Sequence, residues 1–312
     1  MSEKKLDKRK VDVESLDPPE ERRDYLKTVG ALVAGLVVGG AAAWLGKPAE
    51  RVEVPGPTVT APGATVTVTA TPPLPKAKFP EIPPPGTKII HGMDAAYPPF
   101  TEIDPTGKAV GFDVDVVDWI AEKYGWEVEH KPWEWAAIVT ALLAGDLDFV
   151  ASGMTHTPAR AEKVWYTIPY YTYIHHILVP VEETRTKEEL LNSGEYISCQ
   201  LGATSDEWAE KLLKEGYNFK KLALDSYELA FEAVLDGRAV GVLSDSAFTG
   251  PYFKERPDVA AKFKELCTVG GYFSYAYATR PEDYGLRNAL NLGLEEIMAS
   301  PYWDELRDKW GV

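Results

Sequence analysis

The chain of 312 residues has only two cysteines, one glutamine and four asparagines, and its 33 Lys+Arg are outnumbered by 48 Asp+Glu. Each shortage excludes something. Cys199 and Cys267 form no CxxC, so neither a thiolate metal site nor a dithiol redox pair is expected. In an exported protein they either pair or stay as buried thiols, and sequence alone does not bring them within bridging distance. The five histidines show neither HxxxH nor HExxH spacing, and the neighbours His175 and His176 would point to opposite faces of a strand. No metal site and no cofactor are expected. The net charge of −15 argues against a nucleic-acid partner, because phosphate binding needs a basic surface. The scarcity of heat-labile amides points to a thermophilic source.

What is present falls into segments. Residues 1–28 are charged and contain ERRDYLK, with Arg22 and Arg23 ahead of Tyr25, Leu26 and Lys27. A Gly/Ala-rich apolar run, 29–45, follows. The order of paired arginines, aromatic, leucine, lysine and mild apolar run resembles a twin-arginine export signal. The run is short for a membrane-spanning helix, which needs about 20 residues with about 17 as the lower limit. Ala41-Ala42-Ala43 offers a cleavage site, so a removed signal and a retained anchor both remain open. Either places the remainder outside the cytoplasm. Residues 46–87 are rich in Pro, Thr and Val, with no apolar face to bury, and read as a stiff stalk. A stalk is of most use on a tethered protein, which favours the anchor.

From Lys88 the pattern is globular. KIIHG reads as a strand, and Val114 to Gly125 carries apolar residues at helical spacing and closes on glycine. WEVEH alternates as a strand does, WAAIVTALLAG is a second helix ending at Gly145, and LDFVAS is a buried strand. Short strands alternating with helices predict a mostly parallel, doubly wound α/β sheet. Two segments then echo each other. ALLAGDLDFVASG (Ala141 to Gly153) and AVLDGRAVGVLSD (Ala233 to Asp245) each give a helix end, a capping glycine, an apolar strand and a polar tip. This implies two lobes of similar build, with Ser152 and Gly153 matching Ser244 and Asp245. In open α/β sheets ligands bind beyond the carboxyl ends of strands, where both tips fall.

In SGMTHTPARAEKVWY, Thr157 and Pro158 read as N-cap and first helical residue, which puts Arg160 in the first turn. A cation there opposes the helix dipole at about 0.3–1 kcal/mol. A guanidinium beside helix-start N–H groups holds a carboxylate through two parallel bonds. Asp245, on the other lobe, is an acceptor for an ammonium. Together they match the two ends of a free α-amino acid. The alternatives are an Arg160–Glu162 surface pair and an Asp245 that merely caps the next helix.

The blocks MDAAYPPFTEIDPTGKAVGFDVDVVDWIAEKYG, WEWAAIVTALLAGDLDFVASGMTHTPARAEKVWYTIPYY, QLGATSDEW, GRAVGVLSDSAF and SPYWDELRDKWG resemble the amino-acid-binding receptors of ABC importers, solute-binding family 3. The resemblance covers residues 88–312. It implies the two-lobed type-2 periplasmic-binding fold, with 88–172 and 273–312 as lobe one, 173–272 as lobe two, and a hinge near 171–174 and 271–274. It implies that Arg160 clamps the ligand carboxylate beside Thr155 and the backbone of Ser152, Gly153 and Met154, helped by Thr204. Asp245 would bind the α-ammonium. Tyr97 and Trp135 would wall the side chain, Asp94 would meet a polar or basic end, and Asp113 would lie nearby. Ala203 and His156 depart from the family's usual residues, which bears on side-chain specificity. The implied partners are a free amino acid and membrane permease subunits. The implied role is a receptor, not an enzyme. The alternatives are a sensory receptor and a cyclohexadienyl dehydratase-like enzyme using His156.

Overall fold

The computed structural model describes residues 77–312, together with the backbone of two short upstream strands, β1 (Thr58–Ala61) and β2 (Ala64–Thr67). The twin-arginine segment and the apolar run 29–45 lie outside the described residues. Where the sequence predicts an extended stalk, β1 and β2 pair antiparallel, Thr58 opposite Thr67 and Ala61 opposite Ala64. The reason is local: β-branched Thr and Val flank a Pro-Gly turn signal.

The globular chain runs β3 (Lys88–Met93), β4 (Ala96–Tyr97), β5 (Thr101–Ile103), β6 (Ala109–Val110), α1 (Phe112–Tyr124), β7 (Glu127–Pro132), α2 (Trp135–Ala144), β8 (Phe149–Val150), α3 (Pro158–Ala161) and β9 (Trp165–Tyr166). It crosses on β10 (Tyr171–Pro180) to α4 (Lys187–Leu191), β11 (Tyr196–Gln200), α5 (Thr204–Lys214), β12 (Lys220–Leu224), α6 (Tyr227–Leu235), β13 (Gly241–Asp245), α7 (Ser246–Glu255) and α8 (Pro257–Ala260). It returns on β14 (Phe263–Tyr275) to β15 (Ala278–Thr279), α9 (Tyr284–Met298) and α10 (Pro301–Trp310). Helix α1 buries Val116, Val117, Ile120 and Ala121 on one face and stops at Gly125, which takes the left-handed conformation. α2 stops in the same way at Gly145.

Two five-stranded sheets result, in the orders β7-β3-β8-β15-β9 and β12-β11-β13-β10-β14. β3 is parallel to β7 and β8, and β11 is parallel to β12 and β13, as strands joined by crossover helices must be. β10 runs against β13, and β15 runs against β8 and β9; β14, antiparallel to β10, returns in the direction of β13. The expected parallel order therefore fails where the chain crosses between lobes and comes back. There β10 and β14 pair from Tyr171 opposite Tyr275 to Ile174 opposite Tyr272, and the register then jumps to His175 opposite Val269. Gly270, at φ 73°, sits in the resulting bulge.

The globular unit begins before Lys88, which moves the stalk boundary. Lys78 Nζ bonds both carboxylate oxygens of buried Asp148 at 2.7 and 2.8 Å. Phe79 is buried, and its N–H donates to Asp283 Oδ1 at 2.8 Å. Trp126 Nε1 donates to the Pro83 carbonyl at 2.9 Å. No periodicity announces this arm, because it is held by single backbone groups and one aromatic ring. Gly285, in the first turn of α9, lies directly beneath it: a Cβ there would stand 2.1 Å from the Glu81 carbonyl carbon. Gly285→Ala should therefore lower stability by about 1–3 kcal/mol, the usual cost of overpacking, read as a lower thermal midpoint. An unchanged midpoint would mean that the arm is not packed there.

Asp113 lies on the core side of α1, below the loop that follows β8. It accepts from the Gly153 N–H at 2.8 Å, from Tyr170 OH at 2.8 Å and from Tyr277 OH at 3.4 Å. Burial raises its pKa to about 7, against these stabilising bonds. Since the folded value lies above the ordinary 3.8, the neutral carboxyl favours the fold, and this contribution is lost as pH rises through about 7. The stability gap between the native protein and Asp113→Asn should therefore be wider at pH 5 than at pH 8 in urea melts. A gap that is constant with pH would show that Asp113 does not titrate in this range.

Candidate functional site

The tips of β8 and β13 face one another across a nearly closed cavity of about 10 Å³. The lobe-one wall is Asp94, Tyr97, Trp135, Ser152, Gly153 and Thr155. The lobe-two wall is Gln200, Ala203, Thr204, Tyr227 and Asp245. The echo in the sequence thus becomes two strand ends that meet. Gly153 is at φ 54°, and a Cβ on it would stand 2.4 Å from the Tyr97 ring, so this approach needs glycine.

Asp245 does both things its position suggested. Its Oδ1 accepts from the Phe248 N–H at 2.8 Å, capping α7. Its two oxygens also lie 2.9 and 3.0 Å from Tyr97 OH of the other lobe. Tyr275 OH bonds Tyr97 OH in turn. Burial raises Asp245 to about 6, while the Phe248 N–H and the tyrosine hydroxyls oppose the rise. Asp94 makes a second bridge: its Oδ2 accepts from Gln200 Nε2 at 2.8 Å and its Oδ1 from the Ala96 N–H at 2.9 Å. Burial likewise raises Asp94 to about 6.

Arg160 sits where the Thr-Pro signal put it. Thr157 Oγ1 accepts from the Arg160 N–H at 3.2 Å, and Pro158 opens α3. The helix is a single turn, so it has little dipole for the cation to oppose. The guanidinium folds back to the cavity rim, 5.5 Å from the centroid of the Trp135 ring, and donates to the Thr155 carbonyl at 3.2 Å and to the Gly202 carbonyl of lobe two at 2.9 Å. Its carboxylate neighbour is Glu207 at 3.9 Å, not Glu162. Behind the rim, Tyr173 OH bonds Thr155 Oγ1 at 2.7 Å and Thr204 Oγ1 at 3.0 Å, and His175 Nε2 lies 3.0 Å from the same Thr204 hydroxyl.

Two of the residues singled out in the sequence lie off the cavity wall. Asp113 does not line the cavity; it supports the Gly153 loop from within lobe one. Met154, of which only the backbone was expected to contribute, has its side chain in the core. His156 is exposed, packs on Tyr166 with ring centroids 4.6 Å apart, and lines a different cleft. The cysteines are not disulfide-bonded: Cys199 is buried and Cys267 half-buried. The sequence reading missed Gln200 and Tyr227. Gln200, the chain's single glutamine, ends β11 beside the LGAT turn, so the strand-end rule would have found it. Tyr227 is the first residue of α6 and carried no such signal.

The model of the bacterial extracellular solute-binding proteins, family 3, matches residues 89–312. The chain is 28% identical over 225 residues to ABC transporter arginine-binding protein 1 of Escherichia coli K12, covering 72% of this chain and 90% of that one. It resembles the structure of an ancestral arginine-binding protein bound to arginine, with TM-score 0.65, 32% identity and coverage of 72% and 97%. It also resembles an ancestral amino-acid-binding protein that is a precursor of cyclohexadienyl dehydratase, with TM-score 0.62, 31% identity and coverage of 72% and 95%. Matched over nearly the whole globular unit, the chain belongs to the bacterial extracellular solute-binding proteins, family 3.

Proposed function

We propose that the protein is the extracytoplasmic receptor of an ABC importer for a free basic amino acid, arginine first. One observation carries this reading: two buried carboxylates from opposite lobes, Asp94 and Asp245, line one cavity, and a single guanidinium, Arg160, lies against Trp135 and Thr155 of its wall. A molecule with one carboxylate and two cationic groups complements that set. Its carboxylate would meet Arg160 and the start of α5 at Thr204. Its α-ammonium would take Asp245, and its side-chain cation Asp94, across the face of Trp135. Each partner is a charge-assisted hydrogen bond in a dry site, where such bonds are strongest. The arginine-binding relatives support the choice. The outward position of His156 removes the acid–base group that a dehydratase reading needed, which supports a receptor. Ligand touches both lobes only when they close, so it favours the closed form by its differential affinity.

Titration calorimetry of refolded protein with the twenty amino acids, ornithine and citrulline tests this. Arginine should bind, and Arg160→Ala and Asp245→Asn should each weaken it at least about thirtyfold, the scale of about 2–5 kcal/mol for breaking a buried charge pair. Asp94→Asn should weaken arginine but not glutamine. If no amino acid binds, the reading fails.

The pH dependence has a definite sign. Asp94 and Asp245 titrate near 6 in this cavity, and a cationic ligand needs both ionised. Arginine affinity should therefore be flat above about pH 7 and fall below about pH 6, more steeply in the native protein than in Asp94→Asn. Equal slopes would remove Asp94 from the ligand's contacts.

For export, we propose the twin-arginine route with the apolar run 29–45 retained as an anchor. No helix among the described residues is long and apolar enough to cross a membrane. Export that survives replacing Arg22 and Arg23 by lysine would remove the first part. A mature N-terminus just after Ala43 would remove the second.

A further inference from the structure

On the outer side of lobe one, a cleft of about 440 Å³ lies back to back with the cavity, one strand away. The alternation of strand side chains makes this so. Thr155 lines the cavity, and Tyr275 bonds Tyr97 there. Their neighbours His156 and Ser274 line the outer cleft. The wall between is closed by the His156 N–H to Ser274 carbonyl bond at 3.0 Å.

The cleft differs in charge from the rest of the molecule. In a chain with 48 Asp+Glu, no acidic residue lines it. One wall is Arg287 of α9, whose guanidinium carbon lies 4.4 Å from the centroid of the Trp165 ring. Among the described residues, every other arginine has a carboxylate within 4.0 Å; Arg287 has none, and its Nε is buried without a hydrogen-bond partner. Trp165 is 43% exposed despite its size. The Tyr166 ring, held by its hydroxyl to the Thr155 carbonyl at 3.2 Å, continues the aromatic surface. A guanidinium without a carboxylate, beside exposed aromatic planes, suits an anion carried on a flat body. The volume is within the range of small-molecule sites, about 300–1,000 Å³.

We propose that this cleft is a second ligand site, for a small organic anion bearing a carboxylate or phosphate on a flat, apolar body. The inference is independent of which amino acid the cavity takes.

Titrating the full-length protein with phenylphosphate and benzoate, by calorimetry and tryptophan fluorescence, tests it. At least one probe should saturate with a dissociation constant below about 1 mM, and inorganic phosphate, which has the charge but no flat body, should bind more weakly than phenylphosphate. Arg287→Met should weaken the probe at least about tenfold, as expected for losing a charge-assisted pair, and Arg287→Lys less. Asp94→Asn, which alters the cavity and touches no residue of the cleft, should leave probe affinity within about twofold, since sites without shared partners act independently. Thermal melts of both Arg287 variants separate a lost site from a lost fold, and Arg287→Lys keeps the test open if the methionine variant does not fold. No saturation by about 10 mM would overturn the proposal and leave Arg287 as a contact for an acidic protein surface. So would equal affinity in native and Arg287→Lys and Arg287→Met proteins, or loss of binding in Asp94→Asn.

Discussion

The arrangement of this molecule depends on a carboxylate held inside protein at the seam between two lobes. Taking an ion out of water costs several kcal/mol unless fixed partners replace the solvent. Asp245 obtains them from two directions: the Phe248 N–H of the helix it caps, and the Tyr97 hydroxyl from the opposite lobe. Because Asp245 both ends β13 and starts α7, its position is set by a strand and a helix at once. A side chain on a free loop would have neither constraint, and its oxygens would not be held against a partner from another lobe.

The same logic recurs around the cavity. Asp94 is met by Gln200, and the Arg160 guanidinium by the Gly202 carbonyl, so each charged or strongly polar group facing the seam is bonded across it. Exchanging these internal partners for those of a ligand is a near-balanced trade of hydrogen bonds. Net binding energy then comes from charge pairing and from the gain of closing one state over another. The lobes are joined by β10 and β14, whose register breaks at the Gly270 bulge. A bulged two-strand crossing is a place where a small change of backbone angle swings a whole lobe.

Strand alternation lets one thin wall serve two surfaces. Thr155 and Tyr275 face the seam, while His156 and Ser274 face outward. The acidic surface of the chain makes the outer cleft, with its arginine and no carboxylate, a local reversal of sign.

Local chemistry carried most of the element pattern. The glycine stops after α1 and α2, the Thr157-Pro158 start of α3, and the helix–glycine–strand echo that ends at Gly153 and Asp245 are all properties of neighbouring residues, so the sequence by itself determined them. The strand-end positions of Ser152, Gly153 and Asp245, and with them the site's location, follow from the same pattern. Other features needed residues far apart in the chain to meet. Asp113 shares its block with cavity residues, yet it faces inward because α1 packs that side against Tyr170 and Tyr277. The side of the wall that His156 faces is set by the register of its strand against β14, which no local signal encodes. The docking of Lys78 and Phe79 is decided by Asp148 and Asp283, 70 and 204 residues away. Pairing of Gln200 with Asp94 and of Tyr97 with Asp245 exists only where the two lobes meet. Periodicity records which face of an element is apolar; only tertiary structure decides what that face, or a lone polar group, will meet.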